Sequence, residues 1–131
     1  MKRITFRIIG NPAAKGRPRF ARRGNFVKTY TPKKTESWEN FIRLQAIRYK
    51  PESLIDGPIK MQLDFYLPRP KSLSKKVIYH AKKPDIENLA KSVLDALQGI
   101  IYTNDSRVCQ LVCRKKYSTD GYGVLVDITE I

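Results

Sequence analysis

Ile59, Met61, Leu63, Phe65 and Leu67 alternate with Lys60, Gln62, Asp64 and Tyr66, and this run limits the fold more than any other stretch. Successive side chains of a strand point to opposite faces, so a period of two puts all five apolar residues on one buried face. Pro68-Arg69-Pro70 ends the strand. Asp64 falls on the polar face and reads as a surface counter-charge, with reach toward acids further along the chain as the alternative. Ile4, Phe6 and Ile8 repeat the pattern against Thr5 and Arg7, up to the turn signal Gly10-Asn11-Pro12. Val108 to Tyr117 and the alternating Val124, Val126 and Ile128 give two more strands. The Asp120-Gly121 signal between them predicts that they pair as a hairpin.

Two helices follow from the other period. Thr31-Pro32 is a hydroxyl cap followed by a first-turn proline. Trp38, Phe41, Ile42, Ala46 and Tyr49 then form one apolar stripe before Lys50-Pro51, with Trp38 as a core residue. Asp85 is placed as the N-cap of a helix running to about Gln98, with Gly99 as its stop. At 100° per residue its buried face is Ile86, Leu89, Ala90, Val93 and Leu97, and Glu87, Asn88, Lys91, Ser92 and Asp95 take the other side. Ser72 or Ser74 is expected to cap a third, short helix from Lys75 to Ala81. The order β, basic loop, α, β, α, α, β, β predicts an α+β domain over residues 1–131. Its mixed or antiparallel sheet has about four strands, with two to three helices packed on it.

Charge narrows the function. The 131 residues hold 26 Lys and Arg against 12 Asp and Glu, a net charge of +14, which favours nucleic acid or another polyanion. The cations lie in several clusters and not along one amphipathic helix, which argues against a membrane surface. No run approaches eighteen apolar residues and the start MKRITFRIIG lacks a signal-peptide core, pointing to the cytoplasm. Cys109 and Cys113 lie about 13 Å apart on one strand, too far for a bridge, and read as reduced, half-buried small residues. His80 is the lone histidine and reads as an exposed polar residue, so no Ser-His or Cys-His triad can be built.

Residues 15–35, KGRPRFARRGNFVKTYTPKKT, form a basic loop or irregular hairpin, able to be mobile, with no acid in it. Lys15, Arg17, Arg19, Arg22, Arg23 and Lys28 are candidate phosphate contacts, joined by Lys82 and Lys83. Phe20, Phe26 and Tyr30 offer rings that stack on unpaired bases.

Four of the few acids, Asp85, Glu87, Asp95 and Asp105, fall between Lys82 and Arg107. One reading is structural: Asp85 caps the helix, and Glu87, Lys91 and Asp95 form an i, i+4 salt-bridge ladder worth a few tenths of a kcal/mol per pair. The other folds the segment bearing Asp105 back to the helix start, so that the carboxylates converge as a hard-oxygen site for Mg²⁺ or Mn²⁺. Such a site serves phosphodiester hydrolysis, with Lys91 placed to neutralise developing charge.

KPDIENLAKSVLDAL followed by NDSRV resembles the signature of RusA-like Holliday junction resolvases, approximately KPDxDNLxKxxxDAL…DDxxV. KGRPRF and YTPKKT resemble the basic segment of Gram-positive and phage members. The resemblance implies metal ligands Asp85, Glu87 and Asp105, a catalytic Lys91, and supporting roles for Asn88 and Asp95. Glu87 departs from the usual Asp, and Asn104 from a first Asp. It further implies a bacterial or phage-encoded, nucleoid-associated homodimer that uses Mg²⁺, with Mn²⁺ as substitute, and resolves Holliday junctions by paired symmetric nicks in recombination and repair. The alternatives are a junction-binding protein with weak or lost cleavage and a basic nuclease acting on RNA or linear duplex.

Overall fold

The computed structural model describes residues 2–16, 19–23, 26–30 and 33–131; for 19–23, 26–30 and 34–35 it describes the backbone alone. Strands β1 (Arg3–Ile9), β4 (Ile59–Leu67), β5 (Val108–Tyr117) and β6 (Gly123–Glu130) build one sheet in the order β1-β6-β4-β5. β1 and β4 both run antiparallel to β6, whereas β5 runs parallel to β4. β2 (Arg19–Arg23) and β3 (Phe26–Tyr30) pair separately as an antiparallel hairpin in the register Arg19↔Tyr30. Helices α1 (Lys33–Ala46) and α2 (Ile86–Leu97) pack on each other and on the sheet.

The α+β architecture with a four-stranded mixed sheet is therefore the one expected, and the alternation in β4 explains its place. Ile59, Met61, Leu63, Phe65 and Leu67 are all buried, as are Phe6, Ile8, Val124, Val126 and Ile128. Leu89, Ala90, Val93, Ala96 and Leu97 of α2 and Trp38, Ile42 and Ala46 of α1 close the core. Each fully buried Leu or Val contributes about 1.5–3 kcal/mol by removal of apolar area from water. Gly10 is required where β1 meets α1, since a Cβ there would stand 2.8 Å from the Phe41 ring.

Several expectations are corrected. β5 and β6 do not form a hairpin: β4 lies between them, both of its edges satisfied. Local alternation specifies a buried face but not which strand occupies each edge. Residues 75–81 are not helical; turns lead to a single bridge between Tyr79 and Lys116. Val77, Ile78 and Tyr79 suit an extended edge, and the backbone bonds His80 N to Lys115 O and Tyr117 N to Ile78 O align them with β5. Asp64 is buried, beside Gln62 and Arg114, and not a surface counter-charge. Ser92 is buried too, its hydroxyl donating to the carbonyls of Ala13 and Leu89, while Ile86 is exposed at the helix start. Phe41 and Tyr49 sit at the exposed border of the α1 stripe, past whose last helical residue Tyr49 stacks on Phe6 at 4.8 Å. The expected cap at Thr31 and Pro32 lies outside the described residues.

Candidate active site

The start of α2 carries the acids. Asp85 is the N-cap in backbone terms, extended at φ −70° and ψ 140°, and its carbonyl accepts from Leu89 N. Its carboxylate makes no capping bond. A cap bond is worth about 1 kcal/mol, so this acid forgoes the usual reward of its position. Glu87 follows in the first turn, and no ion pair holds either carboxylate among the described residues.

Both acids line an open groove of about 830 Å³. Lys82, Lys83, Arg114 and Lys115 line it as well, with Tyr79, His80 and Cys113. Lys115 shapes the entrance: its ammonium donates to the carbonyls of Lys82 and Pro84, the latter at 2.7 Å, tying the Lys82–Pro84 turn to β5. His80 is half-buried and tilts against Tyr117 at 4.7 Å, correcting its reading as a free surface residue. Burial, and then the nearby Lys115, hold its pKa below the ordinary histidine value. Burial first and Asp64 second push the Cys113 thiol up to about 11, so it is a poor nucleophile at neutral pH. Both cysteines are free thiols on β5.

Lys82 and Lys83 thus line the same groove as Asp85 and Glu87. Lys91 is exposed on the next turn, four residues beyond Glu87. The ladder Glu87–Lys91–Asp95 does not form, because Asp95 pairs with Lys15 at 3.2 Å. Lys15, expected as a phosphate contact, is held in ion pairs here: its ammonium also bonds Glu39 at 2.9 Å. Arg17 lies outside the described residues; Arg19, Arg22, Arg23 and Lys28 are on β2 and β3, with their side chains beyond description.

Asp105 does not join Asp85 and Glu87 within one chain. It opens a 3-10 turn, Asp105–Arg107, whose Asn104 cap accepts from Ser106 N at 2.9 Å. The Asp105 N–H donates to Gln98 Oε1, the residue that ends α2. A helix of twelve residues is about 18 Å long, so Asp105 sits at the far end from Asp85. Thr103 and Arg107 both bond Asp56, which fixes the turn there and, through those two partners in that order, draws the Asp56 carboxyl below its usual range. The fold-back failed because Gly99, at φ +84°, ends the helix and turns the chain into Ile100–Tyr102, pinned by Ile101 N to Leu97 O and by the Tyr102 hydroxyl on Leu94 O. No group of three His, Cys, Asp or Glu side chains suited to a metal forms among the described residues. No helix among them is long and apolar enough to cross a membrane.

Sequence reasoning missed Arg114 and Lys115 as groove residues. Their signal was present as a basic exit from β5, but only the parallel pairing with β4 brings that exit to the helix start.

The family described as Endodeoxyribonuclease RusA matches residues 10–129. The uncharacterized protein YqaN of Bacillus subtilis (strain 168) is 36% identical over 127 residues, which cover 89% of each chain. The motif-bearing start of α2, the basic segment and the closing strands all fall inside the matched span, and the chain belongs to the RusA endodeoxyribonuclease family.

Proposed function

We propose that this chain is a divalent-metal-dependent endonuclease that resolves four-way DNA junctions as a homodimer. Membership of the family supports cleavage of DNA. The observation that carries the finer reading is the pair of carboxylates, Asp85 and Glu87, which have no ion pair among the described residues although Lys82, Lys83, Arg114 and Lys115 line the same groove. In a protein of charge +14, acids beside so many cations ordinarily pair with them. The donor set fits Mg²⁺, or Mn²⁺, which takes one or two carboxylates and completes its shell with water and substrate phosphate. When bound, such an ion neutralises phosphodiester charge and makes water a better nucleophile near pH 7.

The chain's own residues then divide the work. Asp85 and Glu87 would hold the ion at the helix start, where the macrodipole also favours their negative charge. Lys82 and Lys83 bring a phosphate to the groove, and the hairpin cations Arg17, Arg19, Arg22, Arg23 and Lys28 bind neighbouring phosphates. Lys91, one turn beyond Glu87, balances the charge that builds on the reacting phosphate.

Asp105 enters from a second copy. Paired nicks need two sites, and the separation of Asp105 from Asp85 leaves each chain's set incomplete. Among the described residues, the outer edge of β5 is covered only near Lys115 to Tyr117; Val108 to Cys113 pairs with nothing on that side, and Leu111 is 44% exposed. Antiparallel pairing of two such edges about a twofold axis at Leu111 would carry Asp105 of one copy to the level of Tyr117 in the other, at the end of β5 where Arg114 and Lys115 line the groove.

The test is cleavage of a synthetic four-way junction in Mg²⁺ beside linear duplex and RNA of the same sequence. The junction should be nicked symmetrically, at least about tenfold faster than either control. Binding without cleavage in Mg²⁺ or Mn²⁺ would favour a junction-binding protein, and equal cutting of linear duplex or RNA a general nuclease.

A further inference from the structure

We infer that Lys15, Glu39 and Asp95 form a positioning element that fixes the root of the basic hairpin to both helices. The inference rests on the proposed DNA-cleaving role for its consequence, but its geometry stands alone. Lys15 opens the basic segment, and Asp95 belongs to the acidic motif eighty residues away, so the two motifs meet in this ion pair. The Lys15 ammonium donates to Glu39 Oε1 at 2.9 Å and Oε2 at 3.3 Å and lies 3.2 Å from Asp95 Oδ2. Burial lowers the Lys15 pKa, but the hydrogen bonds and charges of Glu39 and Asp95 outweigh it and leave the pKa raised.

Backbone ties reinforce the joint. Lys15 N donates to Asn88 O at 2.8 Å, and the buried Ser92 hydroxyl donates to Ala13 O at 3.0 Å. Asn88 directly follows Glu87, so the hairpin is rooted on the turn of α2 that carries this acid. The hairpin's other end runs into α1, the helix that bears Glu39. Both roots therefore rest on the packed helix pair, and a shift of the Lys15 joint moves the hairpin cations relative to Asp85 and Glu87. Glu39 has a side chain only 6% exposed, so removing Lys15 alone leaves a buried unpaired charge. An isolated Lys15 change can therefore unfold the protein, and the informative variants avoid that.

Asp95→Asn keeps the shape and the Glu39 pair, and Lys15→Met with Glu39→Gln removes both buried charges together. In each, affinity for a synthetic four-way junction should fall about tenfold as ordering of the hairpin is lost. The slope of log affinity against log salt should stay unchanged, since no phosphate contact is deleted. The rate at saturating junction should stay within about twofold, and Lys15→Arg should restore affinity. Amide exchange in β2 and β3 should quicken while that of β4 does not, a readout that needs no DNA cleavage. A slope reduced by about one on removing Lys15 would make it a direct phosphate contact, and unchanged affinity and exchange would make the cluster structural only; either overturns the inference. A wild-type protein that binds junctions without cutting them would sink the functional reading and leave this one standing.

Discussion

Asp85→Asn should lower four-way junction cleavage on the order of 10³-fold, about 4 kcal/mol of barrier, without unfolding the protein. Asn serves as well as Asp at a helix N-cap, and the Asp85 side chain makes no cap bond to lose. Stability measured by thermal unfolding should therefore stay within about 0.5 kcal/mol, as for an ordinary surface change. Junction affinity should hold or tighten, because one negative charge is removed from a groove that receives a phosphate. Glu87→Gln should behave alike. Retention of wild-type cleavage in Mg²⁺ by either variant would remove that residue from the site.

Phe65→Ala is expected to have the largest effect on stability, about 3–5 kcal/mol. Phe65 is fully buried on β4, which is hydrogen-bonded on both edges, so the cavity cannot collapse by moving an edge strand. Total stability of a domain this size is about 5–15 kcal/mol, and the melting temperature should drop by roughly 10–20 °C. Leu44→Ala, at a residue 72% exposed on α1, should change stability by no more than about 0.5 kcal/mol. A loss at Phe65 no larger than at Leu44 would contradict the central place given to β4.

Much of this was legible because it is local. The period of two in β4 and the helix that starts after Asp85 depend on residues within a few positions of one another, and both elements formed, the helix without the side-chain cap bond. What escaped were contacts across long separations. Alternation put Asp64 on a polar face but could not show Arg114 beside it from β5. Seryl cap signals at Ser72 and Ser74 suggested a helix, yet the β-branched Val77 and Ile78 went to the β5 edge once β5 had chosen β4 over β6. Lys15 looked like one more cation in a basic run until the fold set it between Glu39 and Asp95.

The site divides in the same way. Asp85 and Glu87 belong together by helical spacing, and Lys82 and Lys83 by adjacency. Asp105 shares their motif but not their end of α2, since Gln98 and Asp56 hold its turn at the other. The divided acids are the central claim, and mixing two inactive variants tests it most directly. Asp85→Asn and Asp105→Asn proteins, each unable to nick a four-way junction alone, should regain nicking when unfolded and refolded together. The mixed dimer would hold one groove with Asp85 from one chain and Asp105 from the other, and should cut one strand per junction. Persistent inactivity of a mixture shown to form mixed dimers would place all three acids in a single chain and contradict this arrangement.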